Sequence, residues 1–274
     1  NVSGEGASDK YNYFFSVGYL DEKGYLNMSD FNRFTARANV AVTPYKWLKA
    51  GLSLSGSHQK SNNASTSSMA AFINPFMYAR SIAPIYPVYL HDMATGEYIL
   101  DANGNKQYDS GGTYSRPQFA GRHVIWEYSL NEVLSTRNTV AAQTYTDINF
   151  LKDFTLSVRG DVSIRSTLGK EYRNKTIGDG AGKGTANNSL NNFKSYTFQQ
   201  LLTWKKEFGK HNVEILAGHE NFSHEFQYLY GGKSYEIFAG NIELTNFTVM
   251  ESTDGYIEEY RTEGYLTRGR YNYD

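Results

Sequence analysis

Hydrophobic and polar side chains alternate along much of the chain, most clearly in residues 31–58. Every second residue there is apolar or small, namely Phe34, Ala36, Ala38, Val40 and Val42, and the residues between them are mostly charged or polar. After a break at residues 43–47, leucine and alanine alternate with lysine, glycine and serine. A period of two is typical of a strand with two unlike faces, and the proline-containing break predicts a hairpin.

The same alternation recurs and predicts eight antiparallel strands. In residues 154–165, for example, Phe154, Leu156 and Val158 alternate with Thr155, Ser157 and other polar residues. The strands are expected at residues 10–20, 31–42, 48–58, 135–149, 154–165, 193–206, from 213 onward, and 259–273.

Short and long connections alternate between these strands. The short ones are residues 43–47, 150–153 and 207–212, and the long ones are residues 21–30, 59–134, 167–192 and 228–256. Outer-membrane barrels have short periplasmic turns and longer extracellular loops. The pattern therefore predicts an all-β fold, an antiparallel transmembrane β-barrel segment. The insert 59–134 is expected to contain one short helix within residues 69–82 and a hairpin at residues 98–106, around an Asn-Gly turn.

Composition agrees with a barrel but not with membrane helices. Mean hydropathy is −0.56, and no apolar run approaches the ~20 residues that a membrane helix needs. Barrel strands are half polar, so a low mean hydropathy does not exclude them. The 23 tyrosines suit the membrane interface, where the ring meets lipid and the hydroxyl meets water. The net charge of −1 gives no indication of nucleic-acid binding, and cysteine is absent.

Eight strands could close a small barrel whose lumen is filled by side chains. The polar positions here are instead Ser, Thr, Gly and scattered charges, which suit a wide, wet lumen. The first ten residues show no basic segment followed by an apolar one, as a signal peptide would. We therefore expect residues 1–274 to be one sector of a larger barrel, with neighbouring strands supplied by sequence outside this stretch.

Five stretches resemble the SusC/RagA family, TonB-dependent outer-membrane transporters of Bacteroidetes that take up glycans or peptides. They are residues 11–24, 31–42, 43–55, 150–163 and 265–274. The resemblance implies a barrel of about 22 strands in the cell outer membrane, with an N-terminal plug and a SusD-like surface lipoprotein. The chain would be the middle of that barrel, without the plug through which TonB acts. The resemblance implies transport without a catalytic step or a cofactor.

Two sets of residues are candidates for contact with a substrate or a partner. The first comprises aromatic residues of the insert, whose flat faces bind sugar rings or anchor protein partners; its members are Tyr86, Tyr89, Tyr114, Trp126 and Tyr128. The alternative is that these rings only pack the insert together. The second set is expected to face the lumen and comprises Arg33, Arg37, Arg159, Asp161 and Arg165. Asp161 is expected to form an ion-pair ladder with the arginines of its own strand.

Other motifs are weaker. Residues 178–185 resemble a phosphate loop, but glycine follows Lys183 where the Walker pattern requires Ser or Thr. His219 and His224 are five residues apart, which places them on opposite faces of a strand and disfavours a zinc site. Acidic and amide residues around Asp101 only partly match a calcium loop, and a hairpin tip is favoured. No Ser/His/Asp set has the context of a nucleophile.

Two other function classes stay open. A small outer-membrane barrel could act as a passive porin or as a membrane enzyme, and further coding sequence on both sides of this stretch would argue against it. A surface adhesion sandwich is the third class, and it would be soluble without detergent. The substrate itself, glycan or peptide, is not readable from the loops.

Overall fold

The computed structural model describes residues 1–26, 28–63, 74–111, 116 and 118–273. These residues form one antiparallel sheet in which each strand pairs with the next along the chain. The strands are β1 (Val2–Ala7), β2 (Tyr11–Lys23), β3 (Asp30–Tyr45), β4 (Leu48–Asn62), β5 (Glu132–Phe150), β6 (Phe154–Arg173), β7 (Thr185–Phe208), β8 (His211–Glu236) and β9 (Phe247–Tyr273). The predicted all-β antiparallel architecture is confirmed.

Two short helices lie in the described part of the insert between β4 and β5. Helix α1 (Pro75–Ser81) begins after Asn74, whose side chain accepts hydrogen bonds from two backbone N–H groups of the first turn. It forms the second half of the predicted helical patch, and residues 69–73 of that patch lie outside the described residues. Helix α2 (Val124–Leu130) was not predicted. None of the helices in the described part of the chain is long and apolar enough to cross a membrane.

The register gives the sheet an apolar and a polar face. Val40 and Leu52 are aligned partners on β3 and β4, and they are 46% and 44% exposed. Val158 and Val162 belong to the same face by register and alternation, and are half-buried. We call this the apolar face. The opposite, polar face carries the residues between these positions. An exposed apolar face of this size requires an apolar environment.

Exposed aromatic side chains form two bands across the sheet. The band near the short turns includes Tyr11, Trp47, Phe150, Phe208, Tyr271 and Tyr273. The other band, about eight to twelve residues further along the strands, includes Tyr19, Phe34, Tyr196, Phe198 and Tyr265. Transmembrane strands need about 9–11 tilted residues, and aromatic girdles flank their apolar band at both interfaces. The spacing of the two bands fits this arrangement.

The described residues form nine strands where the sequence pattern predicts eight, and the additional strand is β1. Two of its six residues are glycines that face large rings. Gly4 is aligned with Phe15, and a Cβ atom added at Gly4 would lie 2.6 Å from the ring of Phe15. Gly6 lies equally close to the ring of Tyr13. Both glycines leave room for the ends of these rings, and glycine removes the alternation on which the prediction depended.

The predicted loops 167–192 and 228–256 are wrong in extent, because the strands continue far into both. Strand β6 runs to Arg173 and β7 begins at Thr185, while β8 runs to Glu236 and β9 begins at Phe247. These extensions are rich in Asn, Ser and Gly, so they show little apolar alternation. A small core of Tyr172, Ala186 and Phe247, covered by Ile242 and Leu244, packs the extensions together.

The sheet is open within the described residues, since β1 and β9 each pair with only one neighbour. An open edge in lipid leaves backbone N–H and C=O groups unsatisfied, at several kcal/mol each. A polar face with open cavities, an exposed apolar face and two strands that each pair on one side only fit a sector of a larger barrel. The predicted barrel fragment is confirmed in this respect.

Candidate functional surfaces of the sheet and the insert

The polar face holds an open cavity of about 520 Å³ near β3 and β4. Arg33 and Arg37 line it, together with hydroxyl and amide side chains, among them Ser16, Thr35, Ser55, Ser57 and Gln59. A second open cavity of about 620 Å³ is lined by Arg159 and Asp161, together with Asp147 and Gln199. Four of the five residues expected to face the lumen therefore line cavities on the polar face. Their contact with a substrate stays a prediction.

Arg165, the fifth, also lies on the polar face, where its guanidinium carbon is 4.2 Å from the ring centroid of Phe193 on β7. The expected ion-pair ladder does not form, since Asp161 makes no ion pair with either arginine among the described residues. Arg159 lies one step from Asp161 along this strand face and Arg165 lies two steps from it, at some 6–7 Å per step. Arg165 reaches across to the next strand instead.

Aromatic rings on the polar face of β7, β8 and β9 form a surface that the sequence analysis missed. The rings of Phe193 and Phe226 stack with centroids 4.5 Å apart. Tyr256 lies 5.8 Å from Phe226 and 5.4 Å from Tyr228. We call these four residues the aromatic platform. Part of it lies in the segment predicted to be a loop, so the polar face was not recognised there.

The aromatic residues of the insert pack mainly on one another. Tyr108 lies between Tyr89 and Trp126, at centroid distances of 5.1 and 5.6 Å. Tyr86 is half-buried beside the guanidinium of Arg116. The side chain of Tyr128 is buried, and burial raises its pKa to about 12. Tyr114 lies outside the described residues.

This packing agrees with the alternative interpretation, in which the rings hold the insert together. Trp126 and Tyr89 keep part of their surface exposed, so substrate or partner contact stays a prediction for them.

A buried carboxylate joins the insert to the loop between β6 and β7. Glu127 on α2 is fully buried, and Arg122 donates two hydrogen bonds to its two oxygens, at 2.8 and 2.7 Å. Arg122 also contacts Asp179 of the β6–β7 loop at 2.6 Å. Gly178 packs directly on Glu127, because a Cβ atom at Gly178 would lie 2.3 Å from Oε2. The fold thus fixes one side of the insert against this loop.

A second buried group stabilises the same region. Arg116 and Asp109 form an ion pair with side chains almost fully buried, at 3.4 Å. His123 is buried nearby, and its Nδ1 atom accepts a hydrogen bond from the backbone N–H of Trp126 at the start of α2. Burial, and secondarily the positive charge of Arg116, lower the pKa of His123 to about 4. His123 is therefore neutral at pH 7, as its capping role requires.

The weaker motifs are accounted for by structural contacts. Gly178–Gly180 forms a 3-10 turn that packs on the insert. His219 lies on the apolar face with hydrogen bonds to Gln200 and Glu263, both 2.9 Å, while His224 lies on the polar face near Phe193. The carboxylate of Asp101 accepts backbone hydrogen bonds from Asn103 and Asn105, as expected for the tip of a hairpin.

Known proteins similar to this chain are TonB-dependent receptors. The chain is 26% identical over 278 residues to TonB-dependent receptor P3 of Formosa agariphila, with 98% of this chain and 26% of that protein covered. It is 22% identical over 236 residues to TonB-dependent receptor P39 of the same organism, covering 80% of this chain and 19% of that protein. No protein-family model matches the chain.

Solved structures with a similar fold include the RagAB peptide importer in its open-open state. The TM-score is 0.79 at 19% identity, with 99% of this chain and 29% of that chain covered. The RagAB peptide transporter gives a TM-score of 0.75 at the same identity, with 99% and 30% covered.

The chain thus spans about a quarter of the length of the first of these relatives and a fifth of the second. At 19% identity the solved structures show the fold, which is that of a barrel sector. The resemblance of this chain to TonB-dependent transporters of the SusC/RagA kind, expected from five short stretches of sequence, is confirmed over nearly its whole length.

Proposed function

We propose that residues 1–274 form part of the barrel wall and outer loops of a TonB-dependent outer-membrane importer. The observation that carries the proposal is the two-faced sheet, with an exposed apolar face between two aromatic bands and a polar face with open cavities. In this arrangement the apolar face contacts lipid and the polar face lines the lumen. The similarity to TonB-dependent receptors supports the same role.

The two ends of the sheet have different roles in this proposal. The short turns lie in the periplasm, and the insert and the strand extensions lie outside the cell, following the rule for outer-membrane barrels. The insert is then the part of the chain closest to incoming substrate. The chain contributes wall and loops and no catalytic step. TonB acts through the plug, which belongs to the rest of the protein.

The proposed partner is a SusD-like surface lipoprotein that covers the extracellular opening, and the proposed substrate is a glycan or a peptide. The RagAB structures bear the name of a peptide importer, but at 19% identity they show the fold alone, so both substrate classes stay in the proposal. Exposed rings of the insert, such as Trp126, are proposed to contact the substrate or the lipoprotein. Lumen contact is proposed for Arg33, Arg37, Arg159, Asp161 and Arg165.

The test uses the complete gene product in its native outer membrane. We expect uptake of its substrate to stop when TonB is deleted, and a lipoprotein to co-purify in mild detergent. Mass spectrometry of the purified complex identifies both the lipoprotein and the full length of the chain. Uptake that continues unchanged without TonB would contradict the importer and favour a passive porin.

A further inference from the structure

We propose that the polar face carries a binding site for anionic oligosaccharides, built from four arginines beside the aromatic platform. The four are Arg33, Arg37, Arg137 and Arg165, which we call the arginine patch. The inference rests on the proposed function, because it takes the polar face as the wall of the lumen. It adds the charge and chemical class of the ligand.

The strand register brings these arginines together. Arg33 is aligned with Gln59 on β4, and Gln59 is aligned with Arg137 on β5. Neighbouring strands are about 4.8 Å apart, so the Arg33 and Arg137 backbones lie about 10 Å apart. Arg137 is aligned with Thr167 on β6, two residues beyond Arg165, which makes Arg137 and Arg165 diagonal neighbours at about 7–8 Å. Side chains as long as arginine can meet across these distances.

The positive charge of the patch is only partly balanced by the chain, since Glu22 on β2 is a diagonal neighbour of Arg33 by register. None of the four arginines forms an ion pair with a carboxylate in the part of the chain that the structure describes. Elsewhere on the polar face, near the short turns, Glu214 binds both Lys205 at 3.2 Å and Arg268 at 2.5 Å. Unpaired cations on the concave wall of a pore concentrate anions there. The patch is therefore suited to a negatively charged ligand.

Hydroxyl and amide groups surround the arginines. Thr35 lies between Arg33 and Arg37 on β3, and all three line the 520 Å³ cavity with Ser57 and Gln59. A guanidinium group binds a carboxylate or sulfate through two parallel hydrogen bonds. The neighbouring hydroxyl and amide groups can exchange hydrogen bonds with the hydroxyls of a sugar.

The aromatic platform continues from the arginine patch without a gap. Arg165 lies over Phe193 at 4.2 Å, and Phe193 stacks on Phe226. Phe193 is already occupied by Arg165 and Phe226, whereas Tyr256 of the platform is 45% exposed, and its flat, apolar face can cover the apolar face of a sugar ring. A ligand with sugar rings, hydroxyls and negative charge uses all three features of the surface. An acidic peptide without rings uses only the arginines, so an acidic oligosaccharide is favoured.

The experiment measures binding by the complete gene product, purified in detergent, using calorimetry. The probes are hexagalacturonate, its methyl ester, which has the same rings without the charge, and hexaglutamate. We expect hexagalacturonate to bind at least about tenfold more tightly than the ester, with an affinity that falls as salt is added. The double variant R33Q/R37Q should weaken hexagalacturonate binding by about tenfold or more, because it removes two charged hydrogen-bond donors.

The control variant is Lys60→Gln, which removes an exposed cation from the other face of β4, and it should bind hexagalacturonate as the parent does. Tyr256→Leu should weaken the binding of both sugars, because it removes the exposed ring of the platform. Near-ultraviolet circular dichroism and the heat-dependent gel shift of the folded barrel show whether each variant is folded.

Several outcomes would overturn the proposal: equal binding of acid and ester, no binding of either sugar, or an unaffected R33Q/R37Q variant. Tighter binding of hexaglutamate than of hexagalacturonate would assign the site to acidic peptides instead. The measurement needs no TonB, so a failure here leaves the importer proposal intact. Conversely, TonB-independent uptake would contradict the importer without affecting the binding result.

Discussion

An arginine introduced on the apolar face should destabilise the barrel, whereas an arginine on the polar face should not. Leu52 lies on the apolar face, four residues into β4, which places it roughly 10 Å from the short-turn end of a strand tilted by about 40°. The apolar band of such a barrel is about 25 Å tall, so Leu52 lies close to its middle. Ser53, the next residue, lines the cavities of the polar face.

The size of the effect follows from two contributions. An arginine facing lipid near the middle of the bilayer costs roughly 2–4 kcal/mol. Leu52 is 44% exposed, so about half of its side chain packs on neighbours, and losing that contact adds roughly 1 kcal/mol. Leu52→Arg should therefore lower the free energy of unfolding by about 3–5 kcal/mol. Ser53→Arg places the new side chain on a wet surface beside Asn39 and Gln143. It should change the free energy of unfolding by less than about 1 kcal/mol.

The assay is urea unfolding of the complete gene product refolded into lipid vesicles, followed by tryptophan fluorescence. Leu48→Arg serves as a depth control, since Leu48 is the first residue of β4 and the lipid cost falls to about 0–1 kcal/mol near the interface. A Ser53→Arg variant destabilised as strongly as Leu52→Arg would refute the assignment of the two faces. Equal losses of unfolding free energy at Leu48 and Leu52 would show that the cost of arginine does not depend on depth in a bilayer.

Three further predictions concern the insert. Between pH 6.5 and 4 the unfolded segment takes up a proton at His123 that the folded segment excludes, so acidification should lower the stability of the insert by up to about 3 kcal/mol. Hydrogen exchange in α2, corrected for intrinsic rates, should therefore rise from pH 7 to 5. It should not rise in His123→Asn, which keeps a capping group. Glu127→Ala should lower the local stability of the insert by about 3–5 kcal/mol, because its buried cationic partner loses two hydrogen bonds, and limited proteolysis should then cut the insert while the strands stay protected. Gly178→Ala should likewise make the insert open to proteolysis, while Gly182→Ala should not. Both glycines have positive φ, but only Gly178 has an atom within 4 Å of the added Cβ.

In the proposed membrane arrangement, the strands that the sequence predicted are those on which lipid imposes a pattern. Strand β6 was expected to begin at Phe154, and it does, because Phe154, Leu156 and Val158 must all reach the apolar face. In that arrangement the strands leave the lipid beyond the second aromatic band, so the side chains there no longer need to alternate. The backbone pairing nevertheless continues to Arg173, since it depends on hydrogen bonds rather than on side-chain polarity.

The candidate surfaces were predictable only in part, for a related physical reason. Arg33 and Arg37 could be placed on the polar face from their own strand alone. The contact between Arg165 and Phe193 depends on the register of two strands joined by a long connection, and no local pattern encodes that register. Similarly, the sequence around Glu127 does not show that this residue will be buried, because Gly178, which packs on its carboxylate, is more than fifty residues away.

The extensions of β6 to β9 are stabilised by packing against the rest of the chain, including the insert. They continue beyond the apolar band as mostly polar strands. Alone, these strands would bury little surface and would be only marginally stable in water. Two contacts compensate: the core around Tyr172 and Phe247 on one side, and the packing of Glu127 on Gly178 on the other. The insert therefore packs against these extensions, which we call the rim, in addition to its connections to β4 and β5. Loops that select a ligand are precise only when such a scaffold positions them, so the rim is the element that makes a specific binding surface possible at this end of the sheet.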